Sequence, residues 1–154
     1  MVGRLQSNKA ARALAVFDEV HSVDSLELAE RLARLAAQSR PAPLPVYLQV
    51  NVAADPGKAG FTASSLREAL GWLAGLESLD LRGLMTIGRL GVSAAETRAA
   101  FAALRRLSDE LRADQPRLAE GLSMGMSDDF ELAVEEGATA LRIGRALFGE
   151  RPPA

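Results

Sequence analysis

Two short segments carry the residue types that could do chemistry: Ser123-Met-Gly-Met-Ser127-Asp-Asp-Phe130 and Leu141-Arg-Ile-Gly-Arg-Ala-Leu-Phe-Gly149. Each reads as a strand, a small residue, then a helix start. Ser127 offers a hydroxyl and a backbone N–H at one helix start, and Gly144 and Arg145 offer backbone N–H groups at the next. Free N–H groups at a helix N-terminus, with the helix dipole behind them, attract anions, and phosphate is the usual occupant. Gly144 has no side chain, so a phosphate can approach the backbone there. Arg142, two residues earlier, would lie beside that phosphate. An aromatic cofactor with a phosphate tail and a ring-nitrogen acceptor fits such an arrangement. A plainer reading also fits: small residues at strand–helix junctions serve packing, and an arginine near a strand end can serve an ion pair.

The elements that must position these residues alternate along the chain. Phe17–Val23 reads as a strand, and Asp24-Ser-Leu-Glu27 has capping-box form, with Asp24 as the cap. Leu28, Leu32 and Leu35 recur at helical spacing, so 25–38 reads as an amphipathic helix, stopped by Pro41, Pro43 and Pro45. Val46–Val52 is a strand rich in β-branched residues, followed by a turn-rich loop to Phe61. Leu66, Leu70 and Leu73 mark the next helix. Leu79–Ile87 reads as a strand and Ala94–Ala113 as a helix. Leu122–Met126, a short helix from Asp129 to Glu136, the strand Thr139–Ile143 and a helical turn Arg145–Phe148 complete the series. Five nearly continuous apolar strands alternating with helices suit a parallel sheet covered on both faces.

An open doubly wound sheet and part of a (β/α)8 barrel both fit that order. The Gly-x-Gly-x-x-Gly turn of a dinucleotide-binding fold is absent. Polar residues and glycines instead gather where strands end and helices begin, at Gln49/Asn51, Thr86/Gly88, Ser123/Ser127 and Arg142/Gly144. Parallel α/β barrels carry their sites on that face, with phosphate often bound after strands 7 and 8.

Composition excludes several classes. The 154 residues are 48% hydrophobic and 25% charged, ordinary for one globular domain. There is no cysteine and one histidine, His21, which leaves no disulfide, thiolate chemistry or His-rich metal site. A net charge of −2 argues against a broad nucleic-acid surface. No run approaches the ~18 apolar residues of a membrane span. The start resembles neither a signal nor a transit peptide, so a cytoplasmic location is expected. Of 18 basic residues only Lys9 and Lys58 are lysines. His21 reads as a satisfied buried imidazole and Trp72 as packing, while Asn51 is placed to hydrogen-bond across a barrel interior.

Gly3-Arg-Leu-Gln-Ser-Asn-Lys9, His21-Ser-Val-Asp-Ser25, Gln49-Val-Asn51, Lys58-Ala-Gly60, Gly83-Leu-Met85, Leu122-Ser-Met-Gly-Met-Ser127 and Arg142-Ile-Gly144 with Phe148-Gly149 occur in this order. Together they strongly resemble the pyridoxal phosphate homeostasis protein family. The resemblance implies a fold like the N-terminal barrel of alanine racemase. It also implies binding of pyridoxal 5′-phosphate (PLP), with a non-catalytic carrier or buffer role. It makes Ser127, Gly144 and Arg145 the phosphate contacts and Arg142 the partner of the pyridine nitrogen. Met126, Asn51 and Lys58 become further pocket residues, and PLP-dependent apoenzymes become the recipients a carrier would serve.

The match also implies an incomplete barrel. The family's PLP-anchoring lysine lies near the end of its first strand and is followed by a strand with a Gly-Glu-Asn motif; neither is present. The sequence thus reads as one N-terminally truncated domain over 1–154, with about the last five parallel strands of a (β/α)8 barrel and the end of a sixth near Gly3–Gln6. The Schiff-base lysine would be missing. Such a barrel usually needs at least ~200 residues. Unpaired strand edges would then favour self-association. An alanine-racemase-like isomerase and a non-binding barrel fragment are the alternatives. Racemisation wants two opposed bases, typically lysine and tyrosine, and the single tyrosine, Tyr47, reads as lying at the start of its strand.

Overall fold

The computed structural model describes every residue except 54, 56, 90 and 150–154. Five strands form one parallel sheet in sequential order: β1 (Val20–Val23), β2 (Leu44–Gln49), β3 (Leu79–Met85), β4 (Gly121–Met126) and β5 (Ala140–Arg142). Between them lie α2 (Leu26–Ser39), α3 (Ala63–Gly75), α4 (Ala94–Asp114) and α5 (Phe130–Glu135), with α6 (Arg145–Phe148) after β5. Ahead of β1 stand a 3-10 turn, Ser7–Lys9, and a short helix α1, Ala10–Leu14. The alternation read from the sequence is therefore the architecture, an incomplete parallel α/β barrel.

The sheet curls. In a flat sheet β1 and β4, three strand spacings apart, would be separated by about 14 Å. Yet Nδ1 of His21 on β1 lies 2.7 Å from the Ser123 hydroxyl on β4. The outer, convex face carries the core. Leu28, Leu32 and Ala36 of α2, Leu66, Leu70 and Leu73 of α3, and Phe101, Leu104 and Leu107 of α4 are buried in one cluster with Val46, Leu48, Leu81 and Leu84 of the sheet. Each fully buried leucine contributes about 1.5–3 kcal/mol, which sets the helical layer firmly against the strands.

The concave face is made differently. Tyr47 and Met85 are buried there, apart from the outer cluster. Tyr47 pairs in register with Gly83, and Gly83 with Gly121. A Cβ on Gly121 would lie 2.8 Å from the Tyr47 ring, and one on Gly83 only 1.9 Å from the Gly121 carbonyl oxygen. The glycines let β3 and β4 close together and leave room for the phenol ring. Gly83 also has φ +146°, which a side chain would oppose.

Three local expectations are corrected. The cap of α2 is Ser25, whose hydroxyl accepts the Leu28 N–H at 3.3 Å. The helix starts one residue later than its capping-box pattern suggests, and Asp24 faces Arg4 instead, at 3.8 Å. Capping boxes do occur at Thr62/Ser65 before α3 and Ser93/Glu96 before α4. Tyr47 is the fourth of six residues in β2 rather than its start. Trp72 is not packed in: it is 63% exposed, and its indole N–H donates to Glu30 at 3.0 Å.

The edge of β1 is lined by the chain's own start. His21 N–H donates to the Met1 carbonyl at 2.9 Å, and the Met1 ammonium donates to the Glu19 carbonyl. No strand forms at Gly3–Gln6, where the sequence suggests the end of a sixth; the contact to β1 is made by Met1. No helix among the described residues is long and apolar enough to cross a membrane.

Candidate functional site

Arg142 closes β5 and turns its side chain onto the concave face. Its Nη1 donates to the Ser123 hydroxyl at 2.9 Å, and its Nη2 to the Thr86 carbonyl at 2.7 Å. Thr86 directly follows β3, so the guanidinium spans from β5 across β4 to the end of β3. Burial lowers the Arg142 pKa from its ordinary value, and the Asp129 charge opposes that shift. Guanidinium remains charged in any protein environment. A cation is thus held at the mouth of a half-barrel by neutral oxygens, with no directly bonded carboxylate among the described residues.

Beyond Ser123 the contacts continue inward. His21 Nδ1 is 2.7 Å from the same hydroxyl, and its ring stands 4.4 Å from that of Tyr47, tilted by 32°. Its Nε2 faces the Glu19 carboxylate at 3.4 Å. Burial lowers the His21 pKa, with Glu19 pulling the other way. Burial, and then the Glu19 charge, raise that of the Tyr47 phenol.

The second group of sequence-selected residues meets at the start of α6. The Ser127 hydroxyl accepts the Ala146 N–H at 3.2 Å, which brings the β4–α5 junction against the β5–α6 junction. Gly144 precedes α6, and a Cβ built there would enter open space. A side chain at that position is absent, so the Gly144 backbone itself is not shielded by a Cβ. Arg145 pairs with Asp128 at the rim. Met126, registered with Arg142, donates its N–H to Asp129 Oδ1 at 2.6 Å. Ser127, Gly144, Arg145, Met126 and Arg142 therefore share one end of the β4–β5 pair.

Asn51 is arranged otherwise than expected, and Lys58 lies beside it in the same loop. Asn51 does not reach across the interior. Its amide donates to the carbonyls of Asp55 and Lys58 at 2.8 and 3.3 Å, and its oxygen accepts the Asp55 N–H at 3.1 Å. It is the internal strut of the β2–α3 loop, as a short amide side chain with nearby backbone groups tends to be. The Lys58 ammonium donates to the carbonyls of Ile87 and Gly88 at 3.1 and 2.7 Å, tying that loop to the end of β3. Both line a cleft of about 240 Å3 with Arg4, Gln49 and Ile87. Lys9 is exposed on the 3-10 turn.

The sequence places Thr86 among the polar residues at strand ends but assigns neither it nor His21 a contact in the site. Thr86 contributes through its carbonyl, which no side-chain pattern reveals. His21 reads from the sequence as a satisfied imidazole, and so it is, but its partner is the hydroxyl that also holds Arg142.

The curled parallel sheet, with its arginine and serine contacts at the ends of the last two strands, defines a barrel of the alanine racemase type. The family described as the alanine racemase N-terminal domain matches residues 1–152. The chain belongs to the pyridoxal phosphate homeostasis protein family within that group. It is 39% identical over 150 residues to a pyridoxal phosphate homeostasis protein of Synechocystis, covering 97% of this chain and 68% of that one. It is 44% identical over 153 residues to the Pseudomonas aeruginosa protein of the same name, covering 97% and 63%. PipY of Synechococcus elongatus, solved with PLP bound, superposes with a TM-score of 0.88 at 46% identity, over 97% of this chain and 69% of that one. Alanine racemase of Clostridium difficile superposes with a TM-score of 0.76 at 20% identity, over 99% and 39%, a likeness of fold alone. The chain spans about two thirds of the length of the curated relatives it matches.

Proposed function

We propose that this chain is a single cofactor-binding domain that holds PLP at the ends of β4 and β5 and serves intracellular PLP homeostasis as a carrier or buffer. The observation that carries the reading is the double anchoring of Arg142 by Ser123 and Thr86. It presents a fixed cation at the same end of the β4–β5 pair as the junction where Ser127 meets the start of α6 and the space beside Gly144 is open. Ser127, the N–H groups at the start of α6 and Arg145 would hold the phosphate, and Arg142 would face the pyridine nitrogen. Met126 would line the pocket. Asn51 and Lys58 would act at one remove, by fixing the loop beside it.

Bound PLP supplies an electron-withdrawing pyridine ring and a reactive aldehyde. A permanently charged guanidinium at the ring nitrogen disfavours a second positive charge there, which weakens the electron sink. That suits carriage better than demanding chemistry. The Lys58 ammonium donates to two carbonyls, which holds its loop against the end of β3. A non-catalytic role is further supported by Tyr47. It stands mid-strand with its phenol pKa raised, the wrong direction for a base working near neutrality. PLP-dependent apoenzymes are the recipients this role implies, and the cytoplasm the compartment.

Equilibrium dialysis against PLP, with a racemase assay run in parallel, tests the reading. Saturable uptake without turnover of either alanine enantiomer is expected. No uptake, or racemase turnover, overturns it.

A further inference from the structure

His21 is the only histidine in the chain and takes no part in the contacts proposed for the cofactor. Its side chain is 14% exposed, on the concave face. Ser123, fully buried, sits between it and Arg142, with 2.7 Å to Nδ1 and 2.9 Å to Nη1. A hydroxyl has one hydrogen to give and lone pairs to accept. Arg142 can only donate, so the Ser123 oxygen must accept from it. The hydroxyl hydrogen is then left for Nδ1, which must be the unprotonated ring nitrogen, and the imidazole hydrogen falls on Nε2, facing Glu19 at 3.4 Å. Only the neutral imidazole satisfies all three groups at once. A protonated ring would aim Nδ1–H at an oxygen already engaged by a cation. It would also strand the hydroxyl hydrogen in a buried site, a costly arrangement.

We propose that His21 is a positioning residue for Arg142: the neutral imidazole holds the Ser123 hydroxyl with its oxygen toward the guanidinium, and protonation of the ring releases that hold. The inference rests on reading Arg142 as the partner of the cofactor's ring nitrogen. The groups facing the imidazole are Glu19 ahead of β1, the Tyr47 ring on β2, the Met1 ammonium along the β1 edge and Arg142 on β5. Glu19 favours the cation. Burial, the ammonium and Arg142 outweigh it, so the neutral ring prevails near neutral pH. On its other side Arg142 faces the charge of Asp129, ahead of α5.

Because there is one histidine, one set of imidazole resonances reports the titration. In the unligated full chain, Ser123→Ala and Arg142→Gln should each raise the His21 pKa above its wild-type value. The first removes a donor to the neutral ring and the second removes a cation. The functional arm compares PLP affinity from pH 7.5 to 5.5 in the wild type and in His21→Asn. The asparagine oxygen can still accept from Ser123 but does not titrate. The phosphate of PLP titrates equally in both proteins and cancels. Wild-type affinity should fall about three- to tenfold more than that of the variant over this range, while inorganic phosphate binds both proteins alike. Parallel PLP profiles, or a His21 pKa unmoved by both substitutions, overturn the proposal. If neither protein takes up PLP at any pH, the cofactor reading fails by itself, and the unligated titration still decides whether His21 and Arg142 are coupled through Ser123.

Discussion

The Arg142 guanidinium donates to the backbone carbonyl of Thr86, two strands away across the curled sheet, at 2.7 Å. With its other nitrogen on Ser123, the planar fork is fixed in orientation as well as position. A lysine could supply the charge but not the fork. Arg142→Lys should therefore weaken PLP binding by about tenfold or more, close to the loss in Arg142→Ala, since charge-assisted hydrogen bonds are worth about 1.5–3 kcal/mol. Isothermal titration of both variants checks this; a lysine variant with wild-type affinity would show that charge alone matters.

Closure of β3 on β4 depends on Gly83. A methyl group there would lie 1.9 Å from the Gly121 carbonyl oxygen, on a backbone with φ +146°. Gly83→Ala should destabilise the fold by about 2–4 kcal/mol or prevent folding, because both obstacles are backbone. Gly121→Ala meets the Arg82 carbonyl at 2.4 Å and the Tyr47 ring at 2.8 Å, and should be destabilising too. Urea midpoints measured by circular dichroism decide both. A Gly83→Ala protein as stable as the wild type would refute the close approach.

Stability should also carry a signature of His21. Its folded-state pKa lies below the ordinary 6.5, chiefly through burial. Between the folded value and 6.5 the unfolded chain binds more protons than the folded one, so stability falls as pH drops through that window and is unaffected by this group above it. His21→Asn should flatten the dependence. Urea midpoints at pH 7.5, 6.5 and 5.5 measure it, and a wild-type protein that gains stability across that fall would contradict the assignment.

The far edge of the sheet leads to an oligomerisation prediction. Around β5 and its helices, Leu141, Leu147 and Phe148 are 39%, 71% and 86% exposed, and Val134 is 54% exposed. Apolar side chains beside a parallel edge that no described residue pairs favour association with another copy. Sedimentation equilibrium should give a mass that rises with concentration, reduced toward the monomer by Leu147→Glu with Phe148→Glu. A dilution-independent monomer would rule the edge out as an interface.

The sequence revealed the parts of this molecule that are locally encoded. The strand–helix alternation and the α6 turn at Arg145–Phe148 follow from short-range patterns. β2 shows where such patterns mislead. Pro45 reads as a terminator, yet the strand runs through it from Leu44. Leu44 N–H points to Ser78 on the β3 side, so the missing N–H of Pro45 falls on the β1 side, where pairing begins only at Val46. A strand starting at Val46 puts Tyr47 at its beginning rather than its middle. Asn51, directly after a strand, suggests an inward side chain, but its own loop offers nearer partners. The link from His21 through Ser123 to Arg142 joins residues up to 121 positions apart in sequence (142 − 21). It exists because the sheet curls, and no local pattern encodes that curl.

The central claim is that one ligand is gripped at two ends, its phosphate by Ser127 and the start of α6 and its ring by Arg142. Equilibrium dialysis of the wild type, Ser127→Ala and Arg142→Ala against PLP and against inorganic phosphate separates those ends. The account predicts that Ser127→Ala weakens both ligands, whereas Arg142→Ala weakens PLP by about tenfold and leaves phosphate unchanged. PLP titration curves that stay at the wild-type position in both variants would contradict it.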